Sequence, residues 1–137
     1  MTRVDVRRCV LALAVLTSPG LLVAQSEQVR ERDPQWAAPS QEAGRSNPLP
    51  DDANIVAGGR KLYRQRCPSC HGADARGTSR APSLIANDVQ AQTDGALFWK
   101  ITGGNAHGGM PSFSFLPEPQ RWQLVLHLRR IAVTPSR

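Results

Sequence analysis

The chemistry that this sequence can perform centres on five consecutive residues, Cys67-Pro68-Ser69-Cys70-His71. Two cysteines that are separated by two residues and followed directly by histidine form the C-x-x-C-H pattern that attaches haem covalently. The two thiols add to the two vinyl groups on one edge of the porphyrin, and the imidazole of the next residue then reaches the iron. The spacing therefore predicts one covalently bound haem c, with Cys67 and Cys70 as attachment points and His71 as an iron ligand.

Two other chemistries use a cysteine pair with this spacing. A dithiol redox site expects a strand before the motif and a βαβ pattern around it, whereas a helix is predicted before it here. A structural zinc site needs four protein ligands, but the sequence has no second cysteine pair, and its third cysteine is Cys9. We favour haem attachment, with the dithiol and the zinc site as alternatives.

The iron of such a haem has a second axial position, which is filled by histidine or methionine or is left vacant. Met110 is the candidate methionine, because Met1 would leave with an N-terminal signal peptide. Met110 lies in the loop Gly108-Gly109-Met110-Pro111, where a methionine has no evident packing role. His107 is the competing ligand, and its alternative interpretation is a solvated loop residue.

Helices are predicted to position these residues. The first spans residues 53–66 and has Asp51 or Asp52 as its N-cap. The second spans residues 93–101, begins at Thr93 as a capping residue, and is stopped by two consecutive glycines. Both precede the parts of the chain that carry candidate ligands, so they set where the haem motif and the methionine loop begin.

A third helix is predicted over residues 118–131, with a wide apolar stripe that faces a core and with His127 on its polar side. No alternation of apolar and polar residues indicates a strand. The predicted fold class is therefore all-α, in a domain of residues 53–134. This domain is small for a core of its own, and a large apolar cofactor would supply part of what is missing.

The N-terminal 24 residues have the features of a signal peptide. Three arginines precede an apolar stretch, and Ala24 is a plausible small residue at the cleavage point. An uncleaved membrane anchor is the alternative, but the apolar stretch is short and is interrupted by Pro19-Gly20. We expect an exported bacterial protein in the periplasm, which would be attached to a membrane only if this segment stays uncleaved.

Residues 25–52 are polar and rich in proline and are predicted to form a flexible lead-in. Trp36 is the unusual residue in it, and is either incidental or docked on the domain. The whole chain has a net charge of +6, and removal of residues 1–24 would leave 14 basic and 10 acidic residues, a net charge of +4. No basic face with interleaved aromatic residues is present, so nucleic acid is not an expected partner.

Residues 54–133 resemble the class I c-type cytochromes of the small bacterial mono-haem kind. The resemblance rests on Gly59, Tyr63 and Cys67, which are spaced by four, and on the haem motif, which Pro82 and Leu84 follow as the Pro and Leu of the family do. Later residues match the distal loop and the C-terminal helix: Met110-Pro111, Phe113, Leu124, Val125 and Leu128. It implies a cytochrome c-like fold in which about three main helices wrap around one haem and the C-terminal helix crosses the first at Gly59.

The resemblance also implies roles for single residues. The carbonyl of Pro82 would accept the hydrogen of the His71 imidazole, and Met110 would be the distal ligand of the iron. Trp99 is placed like an aromatic residue whose indole N–H meets a haem propionate. His127 departs from the pattern, because an aromatic residue is frequent at that position.

These residues together indicate an electron-transfer protein and not an enzyme in its own right. Ligation by His71 and Met110 would saturate the iron and leave no position for a substrate. The expected partners are redox proteins: a donor dehydrogenase, and an oxidase or another cytochrome as the acceptor. The alternative is a haem-binding enzyme subunit, a peroxidase or a gas-binding protein, in which the sixth ligand is labile.

Overall fold

A computed structural model describes residues 36–133 of the chain. Within this range the secondary structure is helical, with six helices: α1 (Ser40–Ala43), α2 (Ala53–Arg66), α3 (Pro68–His71), α4 (Asn87–Gln90), α5 (Asp94–Gly103) and α6 (Glu118–Val133). The described residues contain no strand, only an isolated bridge between Asn105 and Met110. The predicted all-α class is confirmed, and its three main helices are α2, α5 and α6. The predicted signal peptide lies outside the described residues.

Helices α2 and α6 cross at Gly59. Helix α2 begins where the Asp52 carboxylate accepts a hydrogen bond of 2.8 Å from the Asn54 amide. A Cβ atom on Gly59 would lie only 1.9 Å from the backbone oxygen of Gln123 in α6, so the two backbones approach as closely as a glycine allows. The crossing point that the family resemblance implied is confirmed.

The sequence predicted that His127 lies on the polar side of α6, and this prediction is wrong. It is buried, with 7% of its surface exposed, and its ring centroid lies 5.3 Å from that of Tyr63 in α2. The reason is the close approach at Gly59, which brings the flank of α6 that carries His127 under the cover of α2. Burial, with a smaller contribution from the charge of Arg60, lowers the pKa of His127.

Helix α5 completes the core against α6. Phe98 of α5 stacks on Trp122 of α6 with ring centroids 4.0 Å apart, and Trp122 is 1% exposed. The buried cluster extends over α4, α5, α6 and the segment between the last two helices: Val89, Leu97, Phe98, Ile101, Phe113, Leu116, Trp122, Leu124, Val125 and Leu128.

The second half of the predicted lead-in is packed on these helices and is not a flexible tether. The Asn47 amide donates to the Trp122 carbonyl at 3.1 Å, and the Thr93 hydroxyl donates to the Ala43 carbonyl at 2.6 Å. A Cβ atom on Gly95 would lie 2.1 Å from the Glu42 carbonyl oxygen. This segment has no apolar period because it is held largely by backbone and polar contacts.

Among the residues that the structure describes, none of the helices is both long enough and apolar enough to cross a membrane.

Candidate functional site

The C-x-x-C-H motif forms a single turn between two helices. Cys67 is the residue at which α2 ends and α3 begins, Pro68 occupies the first turn of α3, and His71 is its last residue. The amide of His71 donates to the carbonyl of Cys67 at 2.9 Å. Residues three and four apart lie on the same side of a helical turn, so both thiols and the imidazole are presented by one short, rigid element.

The His71 imidazole is held by the next loop. Its Nδ1 lies 2.9 Å from the carbonyl oxygen of Pro82. A carbonyl oxygen only accepts hydrogen bonds, so Nδ1 carries a hydrogen, and in the neutral ring Nε2 keeps its lone pair. This is the tautomer in which Nε2 can bind a metal ion, and the hydrogen bond increases the basicity of the ring.

Two hydroxyl groups fix the backbone around the motif, and sequence reasoning assigned neither of them this role. The Tyr63 hydroxyl donates to the Gly72 carbonyl at 2.7 Å, and the Thr78 hydroxyl donates to the Cys70 carbonyl at 2.5 Å. Burial raises the pKa of Tyr63, so its hydroxyl remains a donor. Tyr63 is among the residues that carry the family resemblance, but no sequence signal pointed to Thr78.

Met110 lies at the base of a hairpin-like loop, where it pairs with Asn105. The amide of Asn105 donates to the Met110 carbonyl at 2.9 Å, and the Met110 amide donates back to the Asn105 carbonyl at 2.9 Å. Gly109, with φ of 79°, supplies the left-handed residue that this turn requires. The loop is thus more regular than an irregular Gly-Pro loop, because Asn105 holds both the N–H and the C=O of Met110 by hydrogen bonds.

The two candidate distal ligands lie in different environments. Met110 is partly buried and packs against the core, whereas His107 is exposed within the turn of the loop. Trp99 lies half-buried in α5, and its contact with a haem propionate stays a prediction. Met110 therefore has a packing role, contrary to the sequence interpretation, and its partial burial distinguishes it from the exposed His107 without testing the ligand itself.

Four partly buried side chains on the core suit a large apolar group. Cys67, Leu84, Ile85 and Met110 all pack against the buried core and all keep part of their surface exposed. The set thus combines thiols, a thioether and aliphatic side chains with an imidazole that Pro82 holds through Nδ1. These are the donors that covalent haem attachment and axial ligation use, so the residues present fit a haem c.

The alternatives of a dithiol and a zinc site find less support. Burial, followed by the charge of the neighbouring Cys70, raises the pKa of Cys67 to about 11, whereas a redox-active thiol has a lowered pKa. Within residues 36–133, no three or more His, Cys, Asp or Glu side chains form a group that could hold a metal ion.

Comparison with known proteins identifies the domain. Residues 54–128 match the family described as cytochrome c oxidase, cbb3-type, subunit III. The chain belongs to this family. It is also 41% identical over 64 residues to the Cbb3-type cytochrome c oxidase subunit CcoP of Rubrivivax gelatinosus. That match covers 46% of this chain and 21% of CcoP, so the chain corresponds to about a fifth of that relative.

Membership in the cbb3-type subunit III family confirms the broader expectations. The domain is an all-α c-type cytochrome domain, and a covalently bound haem c with its iron is its cofactor. Electron transfer on that haem is the chemistry of such a domain. The relative is named as a subunit of an oxidase. The narrower assignment to the small class I carriers stays a prediction.

Proposed function

We propose that this chain is an exported class I mono-haem cytochrome that carries single electrons between redox proteins of the periplasm. The observation that carries the proposal is the His71 imidazole, which Pro82 holds in the tautomer that leaves Nε2 free for iron. The thiols of Cys67 and Cys70 lie on the same turn and would attach the porphyrin edge. When bound, haem c supplies an iron that takes up and releases one electron.

Met110 is the proposed sixth ligand. The paired backbone hydrogen bonds with Asn105 hold its main chain in one place, and its side chain packs against the core while His107 is exposed. A thioether favours the ferrous state relative to a second imidazole and so raises the reduction potential. With both axial positions filled by protein side chains, there is no free position for a substrate, which favours an electron carrier over a peroxidase or gas-binding subunit.

The proposed acceptor is a terminal oxidase of the cbb3 type or another cytochrome, and the proposed donor is a dehydrogenase. The first part rests on the relationship to CcoP, which is named as a subunit of such an oxidase. The net positive charge of the chain favours association with acidic surfaces of a redox partner. Placement in the periplasm rests on the predicted signal peptide and on the place where c-type haems are attached in bacteria.

Re-oxidation of the purified protein tests this function. The reduced holoprotein is added to membranes that contain a cbb3-type oxidase and to membranes from a strain without that oxidase. We expect rapid, cyanide-sensitive oxidation only with the first membranes, together with no binding of carbon monoxide to the soluble protein. Rapid binding of carbon monoxide or turnover of peroxide, without electron exchange with either membrane, would refute the carrier and favour the enzyme subunit.

A further inference from the structure

Trp36 connects the N-terminal segment to the methionine loop. Its indole Nε1 donates a hydrogen bond of 2.8 Å to the carbonyl oxygen of Gly104, 68 residues further along the chain. The ammonium group of Lys100 lies 4.5 Å from the centroid of its ring. Trp36 is therefore docked on the C-terminal end of α5, where the loop that carries Met110 begins.

The carbonyl that Trp36 binds belongs to the same peptide group that holds Met110. The peptide between Gly104 and Asn105 offers its oxygen to the indole and its N–H to the Met110 carbonyl, at 2.9 Å. A peptide group is planar, so fixing the oxygen also fixes the direction of the N–H. Hydrogen bonds on the two ends of one peptide also polarise each other and strengthen together.

Gly104 is in close contact with the backbone of the methionine loop. Its φ is 67°, and a Cβ atom there would lie 2.6 Å from the carbonyl carbon of Pro111 and 2.7 Å from the carbonyl oxygen of Met110. The backbone carbonyls of Met110 and Pro111 thus lie directly against the residue whose carbonyl Trp36 binds. A displacement of this peptide would be passed to Met110.

We propose that Trp36 is a positioning residue for the sixth ligand, and that residues 36–47 form a strap that keeps Met110 on the iron. The inference rests on the proposed function, since it requires Met110 to be the ligand. The other end of the strap, where Asn47 donates to Trp122, contacts α6 and not the methionine loop. Loss of the hydrogen bond at one end should therefore affect ligation of the iron, and loss at the other end should not. Each end nevertheless contributes one hydrogen bond to a backbone carbonyl.

The test uses exogenous imidazole, which competes with Met110 for ferric iron in the full-length holoprotein. Trp36→Phe keeps an aromatic ring beside Lys100 but removes the N–H donor. One net hydrogen bond corresponds to roughly a five-fold change in an equilibrium, so imidazole should bind roughly five-fold more tightly to this variant. The matched control, Asn47→Asp, removes the donor to Trp122 and should change imidazole affinity less than two-fold, even where it lowers the unfolding midpoint.

Amide hydrogen exchange gives a second measurement that does not depend on added ligand. Exchange of the Asn105 and Met110 amides should accelerate by a similar factor in Trp36→Phe and remain unchanged in Asn47→Asp. Unchanged imidazole affinity and unchanged exchange in Trp36→Phe would overturn the positioning role while leaving the proposed function intact. If the wild-type protein lacks the sulfur-to-iron charge-transfer band, the proposed ligand is wrong and the positioning role falls with it.

Discussion

Two adjacent glycines in α2, Gly58 and Gly59, should respond to substitution by alanine with opposite changes in stability. At Gly59 the new Cβ atom would lie 1.9 Å from the Gln123 carbonyl oxygen and 3.0 Å from the His127 Cβ. The two helices would have to separate by roughly 1.5 Å before this contact reached an ordinary van der Waals distance. At Gly58 the Cβ would meet only the end of the Gln123 side chain, at 2.9 Å, and that side chain can rotate away.

The magnitude follows from two opposing contributions. Replacing glycine by alanine inside a helix stabilises it by about 1 kcal/mol, and this gain applies to both positions. Overpacking costs about 3 kcal/mol at the upper end of its usual range, which suits a clash with backbone and applies to Gly59 alone. We expect Gly59→Ala to lower the free energy of unfolding by about 2 kcal/mol and Gly58→Ala to raise it by up to about 1 kcal/mol.

Urea unfolding of the two holoproteins, followed by circular dichroism, measures the difference. Each sample is first normalised for covalently bound haem, so that incomplete attachment does not register as lost stability. Equal changes in the two variants, or a stabilised Gly59→Ala, would show that α2 and α6 do not cross at Gly59 at the distance described.

Three further predictions follow from particular contacts. Burial lowers the pKa of His127, so the unfolded chain binds the proton more readily and stability should fall as the pH decreases below about 6.5. The free energy of unfolding, measured with urea at about pH 7.5 and about pH 5, should differ less between the two pH values in His127→Phe than in the wild type, and an equal difference would contradict this. Tyr63→Phe leaves the Gly72 carbonyl without its hydroxyl donor and should lower the free energy of unfolding by about 1–2 kcal/mol, which thermal denaturation measures; a neutral variant would show that this bond contributes nothing. Deletion of residues 36–50 removes the hydrogen bonds of Trp36 and Asn47 and should cost at least about 2 kcal/mol, whereas an unchanged unfolding midpoint would restore the view of this segment as a tether.

Local features explain why much of the fold could be predicted. Helix ends are marked by residues that hydrogen-bond the backbone or stop the helix: Asp52, Thr93 and the paired glycines at the end of α5. The apolar stripe of α6 marks the face that packs. The C-x-x-C-H motif is likewise local, because its chemistry needs five consecutive residues. Such signals remain readable without knowledge of which elements meet.

Long-range contacts explain what could not be predicted. His127 is four residues from Gln123, and its burial depends on how closely α2 approaches α6 at Gly59. The docking of Trp36 on Gly104 joins residues 68 apart through one indole N–H and one carbonyl. Neither contact leaves an apolar period, because the first is set by the distance between two helices and the second by a single polar bond.

The identity of the distal ligand is the central claim about the iron, and one pair of variants tests it most directly. The ferric spectra of Met110→Ala and His107→Ala are compared with that of the wild-type holoprotein after export and haem attachment. We predict that Met110→Ala loses the weak sulfur-to-iron charge-transfer band, has a lower reduction potential and binds carbon monoxide when reduced, and that His107→Ala does none of these. Loss of the low-spin spectrum in His107→Ala, with an unchanged spectrum in Met110→Ala, would contradict the account and require two histidine ligands.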